Sequence, residues 1–106
     1  MSEEKFDAIV VGAGVAGCVA AYVLAKEGLD VLVIERGNYA GSKNMTGGRL
    51  YAHSLERVMP GFAEEAPVER LVTREKISFI TDDDSVTLDY HTGEAFSAEA
   101  ASYTVL

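Results

Sequence analysis

The chain has 106 residues, 48% of them apolar and 25% charged, a balance that suits a globular chain of one domain at most. Nine basic residues against seventeen acidic ones give a net charge of −8, spread between residues 3 and 99, which argues against the basic stripe that nucleic acid requires. A single cysteine cannot form an internal disulfide, no apolar run is long enough for a membrane span, and the opening MSEEKFD is no secretory signal, so the cytoplasm is the expected location.

In chain order, FDAIVV (residues 6–11) comes first. Its four consecutive apolar residues, three of them β-branched, predict a strand buried on both faces. Gly12 ends it. From Val15 to Ala25 the chain is rich in Ala, Val and Leu, which predicts a largely buried helix, with Ala16, Ala20 and Ala21 small enough to lie close to a sheet. Gly28 falls where a helix C-cap glycine belongs. VLVI (residues 31–34) predicts a second buried strand, closed by Glu35 and Arg36. Residues 5–36 therefore read as a βαβ unit.

Residues 37–50, GNYAGSKNMTGGRL, hold four glycines and no apolar period, and are expected to form a long loop. Residues 54–59 predict a short helix, ended near Pro60 and Gly61. KISFI and VTLDY then alternate apolar and polar residues around Asp82-Asp83-Asp84-Ser85. This predicts an antiparallel hairpin over residues 75–91, half exposed, with Ile77 and Phe79 sharing a face with Val86, Leu88 and Tyr90. Residues 92–102 are expected to be loop, and YTVL starts a new apolar run. The fold class is α/β: a Rossmann-like βαβ dinucleotide-binding unit plus an antiparallel β-hairpin, an incomplete FAD/NAD(P)-binding domain spanning residues 1–106.

Gly12, Gly14 and Gly17 fit G-x-G-x-x-G after a strand and at the start of a helix. In that pattern the first glycine allows the tight turn, the second lets pyrophosphate approach the backbone, and the third lets helix and strand pack closely. Glu35 lies 23 residues after Gly12, near the offset of a carboxylate that accepts hydrogen bonds from ribose hydroxyls. An acid there disfavours a 2′-phosphate and hence NADP. The candidate cofactor-binding residues are Gly12, Ala13, Gly14, Val15, Ala16, Gly17, Glu35 and Arg36. These residues by themselves leave FAD and NAD open.

DAIVVGAGVAGCVAAYVLAKEGLDVLVIERG resembles the N-terminal segment of flavoproteins, and KNMTGGRLYAHSLE is much narrower. Together they resemble the FixC flavoproteins, related to electron-transfer-flavoprotein–ubiquinone oxidoreductases and to geranylgeranyl reductases, and the similarity covers essentially the whole chain. The resemblance implies FAD, with Thr46, Gly47 and Gly48 approaching the flavin or its phosphates. It also implies electron transfer from an electron-transfer flavoprotein to a quinone or ferredoxin-like acceptor, a ferredoxin-like partner, and peripheral contact with the inner membrane. Members of the family are several times longer, so the chain reads as the first quarter of such a protein, inactive alone and prone to self-association through uncovered strand edges. The alternatives are a nicotinamide-binding domain of a dehydrogenase and a non-catalytic truncated fragment.

Other residues carry weaker signals. Cys18 is expected to be a small buried filler, and His53 and His91 to be surface histidines without a metal pattern. Asp82 to Asp84 suit a solvated turn better than a calcium loop, which alternates its acids. Lys43 and Arg49 flank the glycine-rich loop, as phosphate ligands or as plain surface charges. No catalytic residue is assigned, since a flavin would carry the chemistry itself.

Overall fold

A computed structural model describes residues 3–45, 47–92 and 97–105. The chain separates into two compact units, Met1–Met45 and Thr46–Leu106.

In the first unit, β1 (Ala8–Val11) and β2 (Val31–Ile34) pair in parallel, Ala8 opposite Val31 and Val11 opposite Ile34, with α1 (Val15–Lys26) between them in sequence. Gly12 extends the ladder, its N–H donating to the Ile34 carbonyl at 2.6 Å. The helix ends in a Schellman motif: Gly28, at φ +86°, donates to Ala25, and Leu29 donates to Leu24.

Burial departs from the sequence expectation. Alternation along the pair puts Ala8, Val10, Val31 and Val33 on one face and Ile9, Val11, Leu32 and Ile34 on the other. Helix α1 packs on the first face, with Gly17 close to Val10. On the opposite face Ile9 and Val11 are 59% and 82% exposed. Helix α1 has no buried residue, and Val15, Tyr22 and Val23 face solvent. Two strands and one helix make only two layers, so each layer has an outer face that nothing in the unit covers.

The second unit holds two antiparallel sheets. In one, β7 (Ser102–Thr104) lies between β3 (Arg49–Tyr51) and β4 (Arg70–Leu71), with Leu50 and Leu71 both opposite Tyr103. Arg49, Leu50 and Ser102, expected in loops, are therefore strand residues, recruited by pairing between distant segments. The expected short helix is α2 (Ala52–Val58), beginning two residues earlier than predicted. A small core of Ala52, Phe62 and Ala101 forms here, with Tyr103 edge-on to Phe62 at 6.1 Å between ring centres.

The other sheet is the hairpin of β5 (Arg74–Ile80) and β6 (Ser85–His91). Its register sets Ile77 opposite Leu88 and Phe79 opposite Val86, so these and Tyr90 share the predicted face. That face is open, however, each of its apolar residues being at least 50% exposed. Asp82 to Asp84 form the turn, closed by Thr81, whose N–H donates to the Asp84 carbonyl and whose hydroxyl accepts from the Asp84 N–H. The opposite face is polar, with the Arg74 guanidinium on Asp89 at 2.8 Å and the hydroxyls of Ser78 and Thr87 in contact. No helix among the described residues is long and apolar enough to cross a membrane.

Candidate functional site

Three glycines in the turn between β1 and α1 answer to three different physical demands. Gly12 has φ +101°, a conformation that an L side chain rarely adopts. At Gly17 an added Cβ would lie 1.8 Å from the Gly12 carbonyl oxygen and 3.3 Å from a Val10 methyl. Helix and strand touch there, and only hydrogen fits. Gly14 is unlike both. Its φ of −80° suits any residue, and a Cβ built on it meets nothing within 4 Å. Packing among the described residues gives no reason for a missing side chain at position 14, whereas a group approaching that backbone from outside does.

Gly14 is the N-cap of α1, and the first turn bonds from the Cys18 N–H back to the Gly14 carbonyl at 2.9 Å. The N–H groups of the first turn, Val15, Ala16 and Gly17 among them, thus have no intrahelical acceptor. With the helix dipole they favour an anion at this end.

Ala13, 6% exposed, joins the turn to the segment after β2. Its N–H donates to the Glu35 carboxylate at 2.8 Å, and its carbonyl accepts from the Gly41 N–H at 2.8 Å and the Cys18 thiol at 3.4 Å. Glu35 also accepts from the Gly37 N–H at 2.6 Å. The Gly37 and Ala13 N–H groups, joined by the charge of Lys43, outweigh burial and hold the Glu35 carboxyl below the ordinary range. A carboxylate has room for about four hydrogen bonds. Two are taken by backbone, which fixes its orientation and leaves capacity for an outside donor.

Gly12 to Gly17, Glu35 and Arg36 therefore lie together in the first unit. Gly47 and Gly48 belong to the second unit. There Gly48, at φ +80°, accepts from the Val105 N–H at 3.1 Å. Thr46 lies outside the described residues. Cys18 is exposed rather than buried, because the groove it lines between α1 and β2 has no third layer over it. Both histidines are exposed. Arg49 proves to be a tie within the second unit: its guanidinium pairs with Glu75, donates to Ser102 at 3.1 Å and lies 4.6 Å from the Tyr51 ring centre. Sequence reasoning missed the bond from Gly41 to Ala13. The signal was Gly41 itself, a glycine at φ +77° inside the loop.

With this geometry in hand, comparison with known proteins is specific. Residues 7–101 match the FAD dependent oxidoreductase family. Over its full length the chain is 70% identical to a probable electron transfer flavoprotein-quinone oxidoreductase, YdiS, of Escherichia coli strain K12. It is 66% identical to the FixC protein of Salmonella typhi and 45% identical to that of Azorhizobium caulinodans. The chain spans about a quarter of the length of these relatives. The cofactor of this family is FAD, and the open backbone at Gly14 fits the approach of its pyrophosphate. The chain belongs to the FAD dependent oxidoreductase family.

Proposed function

We propose that residues 1–106 form the N-terminal part of the FAD-binding domain, holding the ADP end of FAD in an oxidoreductase that transfers electrons from an electron-transfer flavoprotein to a quinone or ferredoxin-like acceptor. The unfilled space at Gly14 carries the cofactor assignment. The electron-transfer assignment is supported by the name of the 70% identical relative, a probable electron transfer flavoprotein-quinone oxidoreductase. In this reading the first-turn N–H groups at Val15, Ala16 and Gly17 hold the pyrophosphate, and Gly12 and Ala13 shape the turn. Glu35 accepts from ribose hydroxyls, Arg36 lines a cavity together with it, and Thr46, Gly47 and Gly48 approach the flavin or its phosphates, as the family resemblance implies. FAD supplies the redox chemistry when bound, and the residues described here supply affinity and orientation. A ferredoxin-like protein as a second partner, and peripheral contact with the inner membrane from the cytoplasmic side, complete the proposal.

The test uses the full-length protein. Purified, it should carry tightly bound FAD, released on denaturation, and should accept electrons from reduced electron-transfer flavoprotein and pass them to a short-chain quinone. A protein that instead binds NAD and shows no flavin absorption would overturn the reading.

A further inference from the structure

The segment after β2 is folded back on the glycine turn. The Gly41 N–H donates to the Ala13 carbonyl at 2.8 Å, Asn44 donates to Gly41 at 2.9 Å, and Ser42 donates to Tyr39 at 3.2 Å. Lys43 sits among these anchored amides. It lines a cavity of about 380 Å³ together with Val11, Gly12, Ile34, Glu35 and Arg36. Val11 and Ile34 end the two parallel strands and are 82% and 47% exposed, so the cavity has an apolar floor at the carboxyl ends of the sheet. Ligands of open parallel sheets bind at that edge.

Charge on the rim is unevenly committed. Glu35 spends two of its acceptor positions on Ala13 and Gly37. The Lys43 ammonium, with three N–H donors, makes no hydrogen bond or salt bridge among the described residues. The Arg36 guanidinium, on the same rim, is likewise without a hydrogen bond or salt bridge among the described residues, whereas Arg49, Arg74 and Lys76 are all paired with carboxylates. A fixed backbone, unspent cations and an apolar floor together match a heterocycle joined to a phosphate. The Glu35 carboxylate alone would repel that phosphate, and the two cations of the rim, Arg36 next to it in sequence and Lys43 on the folded-back segment, offset it.

We propose that Lys43 is a phosphate-binding residue of this site, donating to a phosphoryl oxygen of the ADP portion of the ligand while Glu35 takes the ribose hydroxyls. The inference rests on the reading that the first unit holds FAD, and it adds a residue outside the glycine motif. Because the ammonium answers to charge, it contributes to phosphate-bearing ligands and not to the nucleoside alone.

The experiment measures binding of FAD, ADP and adenosine to the full-length apoprotein, for wild type, Lys43→Gln and Lys43→Arg, at low and high salt. Lys43→Gln should weaken FAD and ADP by about tenfold or more, the loss of a charge-assisted hydrogen bond. It should leave adenosine within about twofold, and its ADP affinity should depend less steeply on salt. Lys43→Arg keeps the charge and should stay near wild type for all three ligands. Equal weakening of ADP and adenosine, or no change in either, overturns the assignment of Lys43 while leaving the FAD site intact. Failure of the wild-type protein to bind FAD or ADP overturns the underlying reading, and this inference with it.

Discussion

A methyl group added at Gly17 would sit 1.8 Å from the Gly12 carbonyl oxygen and 2.9 Å from its carbon. Restoring ordinary contact requires that α1 move away from the turn by about 1.6 Å, or that the Gly12 peptide rotate. Rotation is opposed by the Gly12 N–H bond to Ile34 at 2.6 Å. Overpacking costs about 1–3 kcal/mol, and a clash with backbone rather than with a flexible side chain lies in the upper part of that range, about 2–3 kcal/mol. Alanine recovers up to about 1 kcal/mol through its helix propensity. Gly17→Ala should therefore lose roughly 1–2 kcal/mol of stability, read as a lower urea midpoint at unchanged slope. Gly14→Val is the matched control. The extended backbone at position 14 accepts a β-branched residue and nothing lies within 4 Å of the new Cβ, so folding should lose only the difference between a glycine and a valine N-cap, about 1 kcal/mol. FAD affinity in the full-length protein should nonetheless fall by more than about tenfold, because the side chain occupies the pyrophosphate's place. A Gly17→Ala protein as stable as wild type would refute the packing argument. Undiminished flavin content in Gly14→Val would refute the ligand argument.

Glu35 has its carboxyl pKa lowered by the Gly37 and Ala13 N–H groups, so its contribution is complete above the ordinary value of 4.5 and is lost as pH falls through the folded value. Retained FAD should decline across that acid window in wild type, and Glu35→Gln should bind more weakly with a flatter profile there. Arg49→Lys should lower the melting temperature almost as much as Arg49→Ala, because an ammonium cannot bridge Glu75 and Ser102 with the guanidinium fork; additive effects of Arg49→Ala and Glu75→Gln would show that the pair is not coupled. Phe62→Ala removes the largest side chain of the Ala52–Phe62–Ala101 core and should cost about 3–5 kcal/mol, enough to abolish the near-ultraviolet circular dichroism of Tyr103. Expressed alone, residues 1–106 should associate and remain nearly colourless, since Ile9, Val11 and the hairpin's apolar face lie open; a yellow monomer by light scattering and visible absorption would refute this.

Local constraints were the legible ones. Gly12 and Gly17 are forced by a positive φ and by a backbone contact, both within a few residues of themselves, so the glycine pattern is visible without the fold. The hairpin face was legible because a period of two brings Ile77, Phe79, Val86, Leu88 and Tyr90 to one side whatever surrounds them. Strand β7 was not. Ser102 and Thr104 carry no alternation, and their pairing is decided by Arg49 to Tyr51 and by Arg70 and Leu71, far away in sequence. Burial of β1 failed for a different reason. AIVV reports correctly that both faces favour apolar neighbours, but a composition cannot say which residues provide them, and here one face has none within the unit. Ala13 had no signature either, because its role is carried by backbone atoms that every residue except proline possesses.

That role bears on how the site would work. The Ala13 N–H is committed to Glu35, so it is not a donor for phosphate, and the first-turn amides beyond Gly14 must serve instead. Its carbonyl is committed to Gly41, which places the segment bearing Lys43 against the same turn. One buried residue thus fixes the ribose acceptor through its N–H and the loop cation through its carbonyl. Such coupling predicts non-additive losses in binding when the Ala13 contacts are disturbed from both sides, since either change loosens the same residue. It also separates affinity from reactivity. Changes in this network alter how firmly the ADP end is held, while the potential of a flavin is set by groups near its own ring system.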